Sequence, residues 1–468
     1  MARNPARVTW LAAAILAAAA VSALSLAVLV NLRDPEISGE ARAMARYELP
    51  AIAAEGNAYV ALLGLGAPPR VDPLVEGMRL AAERDSTRFA DPFARQRVPQ
   101  PERETDSDPD DHLAFAGDLD AACDIFNEPC LPFALARDRA VRDLYARNFL
   151  LIDRYQEARR LPGFAAVAIA DKRRADVERG NLGRVHVVLL TVAALDAQQG
   201  HAAEACSFLQ DDGAFWRRVL SGAATLGDKL SAFRALAENS RLASELVASP
   251  AFDAAACATS LRSLLAPLTD AQLSLADAFR MAFVPTVRML ASWPDPAISV
   301  EPESWADRHL KETPIYDLFY RRNASINRSA EIYAGLAALA AQPAARFIAS
   351  RDAFLAKNSD LASVGPGWIY NPLGKLLLGR HLPLHVDYIA HAHGVAAYLK
   401  LVRMQLDLKR ARVSPVDVPQ FLERAGADAT NPIDGRRFRW DREHRSLSFD
   451  PLDRRWRRWG TSATIVDR

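Results

Sequence analysis

From Trp10 to Val30 the chain reads WLAAAILAAAAVSALSLAVLV, with no charged residue anywhere in the run. About 20 such residues suffice to carry a helix through the hydrocarbon core of a bilayer. Arg3 and Arg7 precede the run, and the basic residues that follow it closely are few: Arg33, then Arg42 and Arg46. That bias places the N-terminus in the cytoplasm and residues 32 to 468 on the other side. Val21-Ser22-Ala23 offers a small-residue cleavage site, which makes a removable signal peptide the rival reading. A signal core spans roughly 7 to 15 residues, however, and here LSLAVLV continues past the site. The expectation is an uncleaved anchor.

Cysteine usage fits that placement. Cys123 and Cys130 bracket CDIFNEPC, while Cys206 and Cys257 sit in two later helical stretches. An even count outside the cytoplasm permits disulfides, although four cysteines allow three connectivities and isolated buried thiols stay open. Sequence proximity favours Cys123 with Cys130, leaving Cys206 with Cys257. Zinc would need tighter pairs such as C-x-x-C, which the spacing does not supply, so no metal and no cofactor is expected.

With 468 residues the chain is long enough for two or three domains or for one extended helical array. Its 58 Lys and Arg against 57 Asp and Glu exclude the basic excess typical of a nucleic-acid binder. Alanine, leucine and arginine dominate the periodic stretches, and alternating Val/Ile/Thr runs are scarce before the C-terminus. The class expected is all-α.

Along the chain, residues 1–9 form a cytoplasmic N-terminus, 10–30 the anchor and 31–94 membrane-proximal helices. RQRVPQPERETDSDPDDH lies in an acidic, proline-punctuated loop at 95–115 that cannot bury enough surface to fold. A helical stack follows over 116–291, in which Val141, Leu144, Phe149 and Ile152 make an apolar stripe. Within it, one helix ends at Gly200, an Ala-rich helix runs to about Gln210 and a third begins near Phe215. Helix, glycine and small-residue helix is the grammar of a tetratricopeptide-like hairpin, although no fixed period repeats it. Further helices are expected at about 228–238, 241–248, 254–265, 270–291, 326–341 and 345–357. A proline-rich loop at 292–310 separates the stack from a C-terminal helical region at 311–425.

Three stretches, GHAAEACSFLQDDGAFWRRVLSGAATLGDKL, YNPLGKLLL and NPIDGRRFRWDREHRSLSF, carry a family resemblance. Together they resemble a group of membrane-anchored, mostly helical proteobacterial envelope proteins. The resemblance covers about half the chain and implies a membrane anchor with a mostly helical body of unassigned function. It brings no catalytic residue.

HLPLHVDYIAHAHG, residues 381–394, holds four of nine histidines. On one helix over 384–411, His391 and His393 lie about 200° apart and cannot share an ion. Asp387 and His391 are four apart with Tyr388 beside them, so a Tyr/Asp/His cluster including His385 is the candidate catalytic group. A packed or surface role competes with it. Gly374-Lys375 imitates a phosphate loop, but Ile369 stands where that loop needs glycine and Leu376 where it needs Ser or Thr. The simpler reading is a turn at Asn371-Pro372 leading into a short apolar helix docked on the long one.

At the C-terminus, 426–468, Phe438 and Trp440, then Leu447 and Phe449, alternate at strand period around Asp-Arg-Glu-His, which reads as a small basic β hairpin. Beyond it Arg454, Arg455, Trp456, Arg457, Arg458 and Trp459 form a candidate contact for anionic lipid headgroups or an acidic partner. The whole reads as a membrane-anchored periplasmic scaffold bound to an envelope protein partner, with no nucleic acid involved. An envelope enzyme of hydrolase type is the alternative.

Overall fold

The computed structural model describes residues 5–46, 55–85, 92–93, 112–165, 172–250, 252–292, 319–361, 366–452 and 462–464. The acidic loop up to residue 111, the proline-rich loop from 293, and Arg454, Arg455, Trp456, Arg457, Arg458 and Trp459 lie outside them. The helices in chain order are α1 (Pro5–Val30), α2 (Gly39–Ala45), α3 (Ala58–Leu63), α4 (Pro73–Asp85), α5 (Cys130–Ala136), α6 (Asp138–Arg147) and α7 (Phe149–Arg160). Next come α8 (Lys172–Gln198), α9 (Ala202–Gly222), α10 (Leu226–Ala248), α11 (Ala254–Leu264), α12 (Asp270–Leu273) and α13 (Ala276–Ser292). The last are α14 (Arg322–Ala340), α15 (Ala344–Lys357), α16 (Pro372–Arg410) and α17 (Val418–Ala425). Three short strands follow: β1 (Arg439–Asp441), β2 (Ser446–Ser448) and β3 (Ser462–Thr464).

Local chemistry sets many of these boundaries. Thr225 caps α10 by accepting from the Asp228 amide, and Asp253 caps α11 through the amides of Ala255 and Ala256. Thr269 and Gln272 close a reciprocal capping box on α12. Gly200 ends α8 with φ +95°, a conformation that costs glycine little, and α9 starts two residues later. Asn148 separates α6 from α7 because its amide turns inward, bonding both Ala116 and the Leu144 carbonyl. This break rotates Phe149 off the expected stripe: Val141, Leu144 and Ile152 are buried, while Phe149 is 55% exposed.

Four sequence expectations are revised here. The Ala-rich helix does not stop near Gln210, since α9 continues through Asp211-Asp212-Gly213 to Gly222. The expected break between 238 and 241 is likewise absent, and α10 runs through Glu238-Asn239-Ser240. Conversely, the single helix expected over 270–291 is interrupted at Ser274-Leu275, between α12 and α13. Finally, the short helix after Asn371-Pro372 and the long helix after it are one: α16 passes through Pro383 and has 39 residues, about 58 Å.

α9 lies among α8, α10 and α11, and α16 runs alongside α10, α11 and α14. One connected apolar core extends from Ala41 to Ala463, centred on Tyr155, Phe215, Phe233, Phe279, Phe283, Phe347 and Tyr398. The sheet has three antiparallel strands in the order β1-β2-β3, so the expected hairpin gains a third strand. Phe438, Leu447 and Phe449 are buried, as a strand alternating between body and solvent requires. Arg437 pairs with Glu423, and Arg439 with Asp450 at 2.6 Å, so these two arginines meet internal carboxylates.

α1 stands apart. Wherever its side chains are described, from Trp10 to Leu26, they are exposed, including Trp10 at 78% and Leu16 at 71%. Only the last turn, at Ala27 and Val28, becomes half-buried. Several α1 side chains are outside the described set, and among the described residues no helix is long and apolar enough to cross a membrane.

Candidate functional site

The segment that follows α1 is fastened to the body by side-chain to backbone bonds. Asn31 is fully buried; its Nδ2 donates to the Ile369 carbonyl at 2.5 Å, and its Oδ1 accepts from the Asn371 amide at 2.7 Å. Asn371 adopts φ +51° at the cap of α16, and its own side chain accepts from the Arg321 amide and donates to Ser325 Oγ. Asp34 accepts from the amides of Asn323 and Ala324, both at 3.0 Å, which caps α14 from nearly three hundred residues away. Asn327 adds two more ties, accepting from the Ser38 amide and donating to the Glu36 carbonyl. Tyr370 Oη donates to the Arg33 carbonyl.

This joint explains YNPLGK. A Cβ on Gly374 would sit 2.1 Å from Ser325 Oγ, so only glycine lets α16 approach α14 there. Lys375 pairs with Asp360 at 3.3 Å. The stretch that imitates a phosphate loop is therefore the seam between α1, α14 and α16.

A second cluster lies in the middle of the body, and the sequence reading missed it. Asp212 on α9 is fully buried and accepts from Tyr155 Oη at 2.6 Å, Asn239 Nδ2 at 2.8 Å and Arg159 Nη1 at 3.3 Å. His186 on α8 lies between two carboxylates, with Nδ1 3.4 Å from Asp212 and Nε2 3.2 Å from Glu238. Neither contact is aligned as a hydrogen bond, so both are charge contacts. Glu238 in turn accepts from Arg234 Nε at 2.8 Å, and the edge of Trp216 meets the imidazole at 5.6 Å. Four helices, α7 to α10, thus converge on one polar knot.

Burial opposes charge on His186, but Asp212 and Glu238 outweigh both that and Arg234, so its pKa is raised. Burial, reinforced by Asp212, pushes the Tyr155 phenol well above its ordinary value. Chemically, the knot can hold a proton between two carboxylates. It cannot touch a substrate, because His186 is only 2% exposed. The signals that could have found it are the interior polar triplets DDG and ENS, which read as breaks when helix propensity alone is weighed.

The histidine stretch is dispersed. His385 lies against the rings of Phe279, Tyr333 and Tyr388, at 5.5 to 6.1 Å. His391 faces Phe233 on α10, and His393 faces Phe347 on α15. Burial lowers His391 to a pKa of about 3 and His393 to about 4. Tyr388 is raised by burial and then by the neighbouring Asp387. The structure brings Asp387 and Tyr388 together, and Tyr388 with His385, but it turns His391 to a different helix. Among the described residues no three His, Cys, Asp or Glu side chains gather as metal ligands would.

The cysteines meet in the pairs the sequence favoured. Cys123 with Cys130, and Cys206 with Cys257, stand at disulfide distance, with Cα atoms 5.5 Å apart in each pair. Such pairs indicate an oxidising, extracytoplasmic compartment. A cleft of about 50 Å³ lies beside the polar knot, lined by Tyr59, Phe164, Arg179, Trp216 and Asp228. It has room for a few waters, far below the roughly 300 Å³ at which small-molecule sites begin. In comparisons with known proteins, no family model, no curated protein and no solved structure matches this chain.

Proposed function

We propose that the chain is a single-pass protein of the bacterial inner membrane whose helical body works in the periplasm as an interaction scaffold. The observation that carries this reading is the joint. A helix of 26 residues, uncharged from Trp10 to Val30, is exposed wherever its side chains are described before the last turn, yet the segment leaving it is locked by Asn31 and Asp34 onto α14 and α16. In water so much exposed apolar surface is unfavourable, at about 25 cal/mol per Å². In a bilayer it is the favourable arrangement. A rigid joint then sets the attitude of the body relative to the membrane, which a scaffold requires and a tethered soluble enzyme does not.

Two further features support the reading. The disulfide pairs suit the periplasm, and α8, α10 and α11 pack around α9, which supports reading them as a stack of tetratricopeptide-like kind, an architecture that presents extended surfaces. The likeness to membrane-anchored helical envelope proteins belongs with this proposal. So does the contact of Arg454, Arg455, Trp456, Arg457, Arg458 and Trp459 with an acidic envelope partner or anionic headgroups. The enzyme reading built on His385, Asp387 and His391 draws no support from a geometry that sets those rings against different helices.

Native electrophoresis of gently solubilised membranes tests the proposal. The chain is expected in an assembly heavier than its own 51.3 kDa, and replacing Arg454, Arg455, Arg457 and Arg458 with glutamine should release it. A membrane-bound monomer would contradict the scaffold, and a chain recovered wholly in the soluble fraction would contradict the anchor.

A further inference from the structure

The search for another site turns on where exposed apolar side chains gather outside α1. Four of them cluster by connectivity: Leu32 at 64% exposed, Ile369 at 40%, Leu376 at 56% and Leu384 at 37%. Leu32 follows the residue that donates to the Ile369 carbonyl, so these two flank a single hydrogen bond. Leu376, Pro383 and Leu384 are exposed at spacings of seven and eight along α16, which places them on one face, and Arg380 is exposed among them on the same face. Ile369 is itself flanked by Trp368 and Tyr370, both half-buried. Their polar atoms bond to the chain itself, Trp368 Nε1 donating to the Asp360 carbonyl at 2.7 Å and Tyr370 Oη to the Arg33 carbonyl, at the surface, at 3.2 Å.

We infer that residues 368–384 form a membrane seat: the Trp-Ile-Tyr turn and the first three turns of α16 lie along the bilayer surface, with Leu32, Ile369, Leu376 and Leu384 in the interfacial layer. This rests on the anchor reading of α1 and deepens it. The depth follows from covalent and hydrogen-bonded continuity. The apolar run ends at Val30, so Asn31 stands at the edge of the hydrocarbon, and Ile369 is one hydrogen bond away. Trp and Tyr are the side chains enriched at that depth, where an apolar ring and a wet edge are both accommodated. Lipid is the occupant argued here because the patch begins where the lipid-crossing helix ends.

The experiment places the full chain in nanodiscs of zwitterionic phosphatidylcholine, with no other protein present. An environment-sensitive fluorophore is attached in turn at Leu376→Cys, at Leu16→Cys within α1, and at Val416→Cys, an exposed apolar position beyond the far end of α16. Lipids bearing a nitroxide near the headgroup serve as quencher. Labels at 376 and 16 should lose most of their emission and the label at 416 should not. An unquenched label at 376 beside a quenched label at 16 overturns the seat and leaves the anchor standing. An unquenched label at 16 removes the anchor, and the seat with it. Shielding of the label at 376 from a water-soluble quencher that occurs only after solubilised envelope proteins are added assigns the patch to a protein partner and overturns the lipid seat. Since Leu376 is exposed, each labelled chain should keep the parent's thermal midpoint, and Ile369→Cys supplies a second reporter.

Discussion

At the scale of single residues, the buried His186 and His393 and the half-buried His391 pull stability in opposite directions with pH. His393 is 4% exposed, and neither of its ring nitrogens has a hydrogen-bond partner among the described residues. Its imidazole is held neutral down to a pKa of about 4, and that of His391 to about 3, while the unfolded chain protonates near 6.5. For a group depressed by folding, the stability is complete above about pH 6.5 and is lost as pH falls toward the folded value. Acid unfolding should therefore begin near pH 6. His393→Leu should shift that onset to lower pH and raise stability at neutral pH by about 1 kcal/mol, by removing an unsatisfied polar group. Urea melts of both chains at pH 5 and pH 7.5 read the effect. A loss of stability at pH 7.5 would mean that the ring nitrogens are satisfied in solution.

His186 works the other way, because Asp212 and Glu238 raise its folded pKa. Its contribution is complete below about pH 6.5 and declines as pH rises through the raised value. Between pH 6.5 and about 7, before the buried Lys229 amine, lowered by burial to a pKa of about 8, begins to deprotonate and to act in the opposite sense, the thermal midpoint should fall with rising pH. His186→Gln should flatten that slope whatever it does to the midpoint itself. The charged groups facing the imidazole are Asp212, Glu238, Arg159 and Arg234, and the phenol of Tyr155 stays protonated throughout this range.

At the scale of elements, the two disulfides differ in what they close. Cys206–Cys257 links α9 to α11 across 51 residues, whereas Cys123–Cys130 spans seven. In the chain-entropy picture these loops correspond to about 4 and about 2.5 kcal/mol. The double variant Cys206→Ala/Cys257→Ala should thus be less stable than Cys123→Ala/Cys130→Ala, as read by urea melts under non-reducing conditions. An equal loss from both would point to strain or denatured-state structure outweighing loop closure. The elements also show how far sequence carries. Apolar periodicity, the glycine at 200 and the cysteine spacings were enough for the helical class, the α8–α9 turn and the disulfide pairs. Propensity misread Asp211-Asp212-Gly213 and Glu238-Asn239-Ser240 as breaks, since polar residues inside a helix are favourable only where tertiary partners meet them. Those partners come from α7 and α8, beyond the reach of any local window. Asn31 and Asn371 are 340 positions apart, so nothing in either neighbourhood marks the joint they make. The short helix after Asn371-Pro372 and the long helix over 384–411 were expected as two, and the surrounding core carries α16 through Pro383 as one.

At the scale of the whole molecule, α16 joins the two ends of the chain. It starts at the joint with α1 and, about 50 Å along, Gln405 donates to the Ser244 carbonyl and to the Thr464 carbonyl of β3. Lys400 reaches the Ala427 carbonyl on the way. The sheet is therefore tied to the α1 joint by one helix, and in the proposed scaffold that helix would transmit the attitude of the proposed anchor to the far end of the body. Orientation across the membrane is the central claim, and a two-tag protease experiment addresses it most directly. The chain carries one epitope before Ala2 and another after Arg468 in a Gram-negative host, and protease is added to spheroplasts and then to lysed cells. The C-terminal epitope should be lost in intact spheroplasts while the N-terminal epitope survives until lysis. A C-terminal epitope protected until lysis would place the disulfide-paired body in the cytoplasm and contradict the orientation on which the proposed scaffold and its membrane seat depend.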